Sequence, residues 1–245
     1  MINLGKIRDN KLSRDPYEWA FISNLYSPRA EAELAATFPT DHFKTMVGND
    51  GEKDWTYESR CLLGFGNSVP SHPWRLSRAW RELATDLAST EYREAMSKLT
   101  GIDLMSLWLE ANVFHFGPGA WLGPHVDRKD KIVTQVLYFN DTWERKNGGC
   151  LAILRSSDLA DEAAEILPTV GNSCVLVRSA SSWHAVKPVA ANCRNSRRSV
   201  TVTFYPEGTI SPMWPPNENA PLHDYRDPDE KSGALTRLKR WFATR

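Results

Sequence analysis

The sequence predicts a mainly β domain of the α+β class, an antiparallel jelly roll with helices on its outer face. Three observations carry this expectation. The longer helical periodicities fall in the first hundred residues, and short apolar runs broken by turn residues crowd the stretch from Leu107 to Tyr205. Within that stretch Arg197–Tyr205 alternates, with Val200, Val202 and Phe204 on one side and Arg197, Ser199, Thr201 and Thr203 on the other.

Taken in order, the chain begins with a short strand at Trp19–Ile22. Ser27 then caps a helix whose first position is Pro28 and whose body is Arg29–Thr37. Residues 41–70 are polar and turn-rich, with Asn49-Asp50-Gly51 and Asp54-Trp55 followed by Tyr57, Ser59 and Arg60; they form either a lid over a site or an exposed connector. Leu76, Trp80, Leu83 and Leu87 recur at helical steps and form a face that could cover a sheet. A further helix runs from Thr90 to Leu99 and stops at Gly101. Among the strands that follow, Asp158–Ile166 reads as a short helix. The tail from Ser211 to Pro228 is proline-rich, and Leu235–Arg245 reads as a basic helix; neither carries recognisable chemistry. No linker divides the 245 residues, so the expectation is one domain: a helical buttress with the candidate lid (1–105), a jelly-roll core (106–206) and a C-terminal extension (207–245).

Composition narrows the function classes. Hydrophobic residues make up 41% and charged residues 24%, ordinary for a packed globular chain, and the formal net charge of zero argues against a nucleic-acid partner while leaving a local basic patch open. The first residues contain no apolar signal-like core and no apolar run is long enough to span a bilayer, so no membrane partner and a cytoplasmic location are expected. Cys61, Cys150, Cys174 and Cys193 lack CxxC spacing, which points to neither a zinc knuckle nor a disulfide scaffold. Oligomeric state leaves no mark on the sequence.

Chemistry concentrates around Gly123-Pro124-His125-Val126-Asp127. On an extended segment His125 and Asp127 share one face, so both can meet a single ion. The buried-strand composition of Cys174-Val175-Leu176-Val177, followed by a Ser-rich turn, brings back a second histidine, His184. Two imidazoles and one carboxylate leave coordination positions open, the arrangement of non-haem Fe(II) oxygenases. Arg197 shares the polar face of its strand, where a guanidinium beside a metal calls for a carboxylate, although a bulge at Ser199 would turn Arg198 inward instead. Trp121 and Trp183, near the ligands, either wall a substrate cavity or pack.

These pieces resemble the 2-oxoglutarate- and Fe(II)-dependent dioxygenases of the prolyl-hydroxylase-like group. The similarity runs through Phe116-Gly117-Pro118-Gly119, His125-x-Asp127, Val133–Asn140 with Trp143, Gly148-Gly149-Cys150-Leu151, His184-Ala185-Val186 with Pro188, and Arg197-x-Ser199, over about residues 110–206. The resemblance implies a double-stranded β-helix of the cupin-like kind, with iron held by His125, Asp127 and His184. It further implies that Arg197 grips the distal carboxylate of 2-oxoglutarate, with Tyr138 and Thr134 beside it and Leu151 against the cosubstrate chain. Fe(II), 2-oxoglutarate and O2 would be consumed or cycled, with ascorbate as an optional reductant. The product would be a hydroxylated amino-acid-like, peptidyl or small natural-product substrate, together with succinate and CO2. Asp127, a carboxylate and not Ala or Gly, favours hydroxylation over halogenation. Phe116 departs from the pattern, since many members of this group carry a Tyr there, and its neighbour His115 faces the other way on a strand. Two alternatives remain. A zinc hydrolase would use the same triad but leaves Arg197 and Tyr138 unexplained, and a non-catalytic metal-binding jelly roll would need a fourth protein ligand that the sequence does not offer at suitable spacing.

Overall fold

A computed structural model of the chain describes residues 1–49, 54–217 and 219–228. Eleven strands are found among them: β1 (Trp19–Ile22), β2 (Lys44–Asn49), β3 (Asp54–Leu63), β4 (Trp108–Phe116), β5 (Trp121–His125), β6 (Val133–Tyr138), β7 (Leu151–Leu154), β8 (Glu162–Ile166), β9 (Ser173–Val177), β10 (His184–Val186) and β11 (Arg197–Tyr205). They pair antiparallel in the order β1-β9-β6-β11-β4-β3-β5-β10-β7-β8, with β2 on β3. A larger half ending at β3 thus continues into a smaller half through a two-residue pairing, Trp55 with Leu122 and Thr56 with Trp121.

Strand parity decides what lies on each side of the larger half. Val200, Val202 and Phe204 of β11, Ala111 and Val113 of β4, and Val133 and Leu137 of β6 all join one apolar cluster with the helices. The alternate residues Phe114 and Phe116 of β4, Val136 and Tyr138 of β6, and Leu176 of β9 join a second cluster with Leu151, Ile153 and Val186 of the smaller half. The domain therefore has a helix-covered outer core and an inner core between the halves, as period-two strands buried on both faces require.

The helices supply the outer layer. In α2 (Pro28–Ala36) the Ser27 hydroxyl accepts from the Ala30 N–H at 3.3 Å, as its capping position predicts. In α3 (Arg78–Ala88) Trp80, Leu83 and Leu87 are fully buried, while Leu76 lies just before the helix and is also buried. The last long helix (Thr90–Thr100) ends at Gly101 with φ +70°, a conformation glycine reaches without a Cβ penalty. A five-residue helix at Leu4–Arg8 was not anticipated, its length being too short to show a period. No helix among the described residues is long and apolar enough to cross a membrane.

Two expectations need correction. The Ala- and Glu-rich end of Asp158–Ile166 is not a helix but the edge strand β8, pairing Leu151 with Ile166 and Ala152 with Glu165. Asp158 forms a turn by accepting the Ala160 N–H at 2.8 Å. Ile166 is buried, and Lys187 bridges Glu162 and Glu165 at 2.6 and 2.5 Å, so tertiary pairing overrides a helical propensity that five residues could not sustain. Residues 41–70 are not an exposed connector: β2 and β3 form a hairpin whose second strand pairs with β4 from Glu58–His115 onward and which sends Met46, Trp55 and Tyr57 to the cavity described below. Asp50 and Gly51 of the expected turn lie outside the described residues. The tail from Ser211 to Pro228 makes contacts with the strands. Asp227 accepts from Arg198 at 2.7 Å and from the Ser196 N–H at 2.7 Å, and Tyr225 stacks on His115 with ring centroids 3.9 Å apart. The expected basic helix Leu235–Arg245 lies outside the described residues.

Trp80 is the keystone of the outer layer: it meets Phe38 edge-on at 5.2 Å, Phe139 at 4.7 Å, and donates its indole N–H to the Leu34 carbonyl at 3.1 Å. Trp80→Ala is expected to cost about 3–5 kcal/mol, whereas Trp74→Ala, at a side chain 75% exposed, should stay within about 0.5 kcal/mol. Urea unfolding of both variants checks this, and equal losses would contradict the packing described.

Candidate active site

β5 ends on His125, and β10 begins on His184 directly opposite it in the antiparallel ladder. The rings lie 4.3 Å apart between centroids, and Asp127, just past the end of β5, completes a group whose ligand atoms all fall within 4.8 Å of one another. Among the described residues this is the one cluster of three or more such donors, all three of them buried. The absence there of a fourth protein donor argues against a closed structural site. Each histidine is oriented from behind, the His125 Nδ1 lying 2.9 Å from the Gly123 carbonyl and the His184 Nδ1 2.9 Å from the Ser182 carbonyl. A carbonyl only accepts, so both Nδ1 atoms donate, and both Nε2 atoms are the deprotonated, metal-competent nitrogens.

The carboxylate is held on several sides. Lys131 donates to Asp127 Oδ1 at 2.7 Å, the Thr134 hydroxyl to Oδ2 at 3.3 Å, and Arg178 to the Asp127 backbone carbonyl at 3.3 Å. Burial alone would raise the carboxyl's pKa, but the Lys131 ammonium and then the two imidazoles outweigh it and hold Asp127 below the usual carboxylate range. The same pairing raises Lys131 against its own desolvation.

The triad opens into a cavity of about 330 Å3 between the two halves of the sheet. Arg197, Ser199, Thr201 and Thr203 line it together, as their shared parity requires. Arg197 is 1% exposed and donates to the Ser199 hydroxyl at 2.8 Å. Its guanidinium lies 4.9 Å from the centre of the Phe116 ring and 5.3 Å from that of Tyr138. No carboxylate pairs with it among the described residues, and its Nε and the Tyr138 hydroxyl are both buried without a hydrogen-bond partner there. Burial pushes the Arg197 pKa down and that of Tyr138 up. Such a group costs several kcal/mol unless an anion completes it. Arg198 faces the opposite way, bound to Asp227, so the bulge that would exchange the two arginines does not occur. Leu151 lines the cavity. Gly148, at φ +65°, lets the chain leading to it pass the smaller half, since a Cβ there would lie 2.0 Å from the Pro188 carbonyl.

Some residues fall elsewhere than the sequence indicated. Thr134 is on the cavity side but its hydroxyl meets Asp127 and, at 3.3 Å, Thr203, so it serves the metal end. Trp183 packs against Ala152, Leu154 and Ala185, and neither it nor Trp121 lines the cavity; Trp55 of the hairpin does. Lys131, Tyr57, Asn112, Tyr205 and Met213 also line it and were missed. Lys131, four residues after Asp127, carried a readable spacing; Met213 and Tyr57 reach the site through tertiary folding alone.

His115 points away from the cavity, into the outer core. Its Nε2 lies 3.0 Å from the Pro39 carbonyl and so donates, while Nδ1 accepts from the Ser196 hydroxyl at 2.6 Å. Burial pushes its pKa down to about 3, with Arg198 adding to the shift and the Pro39 carbonyl and Asp227 opposing it.

Against this geometry, residues 111–205 match the family described as the 2OG-Fe(II) oxygenase superfamily. That match spans the jelly-roll strands that carry the triad, and the activity it supports is that of an oxygenase using Fe(II), 2-oxoglutarate and O2. No curated protein matches the chain by sequence. Among solved structures it is similar to a prolyl-4-hydroxylase of Pseudomonas putida, with 21% identity, 84% of this chain and 100% of that one covered, and a TM-score of 0.54. It is also similar to a prolyl hydroxylase of Trichoplax adhaerens in complex with a hypoxia inducible factor peptide fragment, with 14% identity, 83% and 89% covered, and a TM-score of 0.56. At these identities the likeness is one of fold.

The unfolded chain takes up a proton at His115 near about 6.5, while the folded protein resists it down to about 3. Below the upper value the unfolded state binds more protons, so stability falls as pH drops through this window, by up to about 1.4 kcal/mol per pH unit. His115→Gln is expected to flatten that slope in urea titrations between these pH values; an unchanged slope would contradict a neutral buried imidazole.

Proposed function

We propose that this protein is a hydroxylase acting on an unactivated C–H bond of an amino-acid-like, peptidyl or small natural-product substrate, with His125, Asp127 and His184 as iron ligands. The observation that carries the reading is the pairing of an open His-Asp-His cluster with Arg197, a buried cation that has no protein anion. A zinc hydrolase has no use for that cation.

Iron and 2-oxoglutarate, when bound, supply the oxidation of a C–H bond to an alcohol, with succinate and CO2 released. The protein's part is placement. The Gly123 and Ser182 carbonyls fix both imidazole tautomers, and the Thr134 hydroxyl supports the Asp127 carboxylate. Arg197 offers its fork, and Tyr138 its hydroxyl, to the distal carboxylate of the cosubstrate, with Leu151 and Val136 against its methylenes. Phe116 contributes a ring face above the guanidinium where a hydroxyl would otherwise add another donor. Arg198 holds the C-terminal segment through Asp227.

Succinate formation with Fe(II), and ascorbate as reductant, is expected to disappear in His125→Ala, Asp127→Ala and His184→Ala; retained turnover in all three would remove the proposal. Arg197→Ala is expected to weaken 2-oxoglutarate binding by about 1.5–3 kcal/mol. Arg198→Ala should lower stability with little change in the 2-oxoglutarate KM, and the opposite ranking would reject the clamp.

A further inference from the structure

The cavity has two cationic ends. Along β11 its lining runs Arg197, Ser199, Thr201, Thr203 and Tyr205, about 3.4 Å per residue. Thr203 pairs with Thr134, whose hydroxyl holds Asp127, so Tyr205 lies beyond the triad as seen from Arg197. At that far end stands Lys131, a cavity-lining ammonium within electrostatic reach of Tyr57 and Tyr205. An ammonium carries three donors, and Asp127 takes one. The nearby buried Glu110 is occupied elsewhere, accepting from Ser211 at 2.5 Å and Asn112 at 2.9 Å.

Charge sharpens the point. Arg128, Lys131 and Arg197 line the cavity against a single anion, Asp127. Arg128 is offset by Asp130 at 2.5 Å, and a ferrous ion with a dianionic cosubstrate adds no net charge. A positive field remains at the Lys131 end, where Asp127 would be shared with a divalent metal. Size adds a second limit, because about 330 Å3 sits at the low end of small-molecule sites and must also hold the cosubstrate. The lining also includes Trp55 of the hairpin and Met213, the latter in a segment anchored by Ser211 on Glu110 and by Trp214 donating to Asn112 at 2.7 Å.

We propose that the substrate is a small free carboxylic acid, and that Lys131, with Tyr57 and Tyr205, forms the subsite that receives its carboxylate at the end of the cavity opposite Arg197. This rests on the hydroxylase reading and narrows it. An internal peptide segment without Asp or Glu, whose backbone carboxyls are tied up as amides, lacks the group that this subsite would receive.

The test is a ligand-observed NMR titration of the Mn(II)-loaded protein, first with 2-oxoglutarate and then with pooled small carboxylic acids, their primary amides, and blocked peptides. Failure to bind 2-oxoglutarate removes the oxygenase reading, whereas the pools judge the subsite alone. Acids are expected to bind at least tenfold more tightly than their amides. Equal binding, preference for blocked peptides, or no acid binder overturns the assignment. Lys131→Met is expected to erase the acid preference. Retained acid preference overturns it. Should Mn(II) binding also fall, the double variant Tyr57→Phe/Tyr205→Phe, which touches no metal ligand, decides: a several-fold loss of acid preference supports the subsite and no loss overturns it.

Discussion

The register of β11 is the constraint on which the site depends. Paired on one side with β4 and on the other with β6, the strand cannot slip by one residue without turning Arg197 into the helix-packed core and Val200 into the cavity. The apolar residues Val200, Val202 and Phe204, all fully buried against the helices, hold it in place. The price of a buried guanidinium is thus accepted because the strand's other face leaves it no alternative orientation. Arg198, released to the outer side by the same parity, binds Asp227 and ties the C-terminal segment to the domain.

From that register the chemistry follows in sequence along the cavity. Arg197, with Tyr138 packed behind it, marks one end, the His-Asp-His cluster lies between, and Lys131 with Tyr205 marks the other. Neither histidine depends on chance orientation, since backbone carbonyls two residues earlier fix each ring. Asp127 lies past the end of its strand and is secured by side chains from other segments instead. The fold therefore places a His-Asp-His cluster suited to a metal within a cavity that has one cation at Arg197 and another at Lys131.

Much of this was legible in the sequence because period-two alternation survives wherever a strand is buried on both faces. The parity of Arg197–Tyr205 and of Val133–Tyr138 assigned Thr134, Tyr138 and Arg197 to the cavity side and Val200, Val202 and Phe204 to the core. Local capping chemistry marked Ser27 and Gly101 correctly. What failed was whatever depended on partners remote in the chain. Glu162–Ile166 looks helical by propensity and becomes a strand only because β7 offers an edge. The hairpin at Lys44–Leu63 has polar strands because one of its faces meets a cavity, which no local pattern announces. The tail's role rests on single contacts, Asp227 with Arg198 and Tyr225 with His115, that join segments far apart. Thr134 lies on the cavity face that parity gives, and its contact with Asp127 was not legible, since parity gives direction and not reach.

The central claim is that the metal cluster and Arg197 together form one site for a keto diacid. Calorimetric titration of 2-oxoglutarate and of 2-oxovalerate, which lacks the distal carboxylate, into Mn(II)-loaded and metal-free protein measures this directly. The account predicts tight binding of 2-oxoglutarate that requires the metal, with 2-oxovalerate weaker by at least tenfold. Equal affinity for the two compounds, or binding of 2-oxoglutarate that is indifferent to the metal, would contradict it.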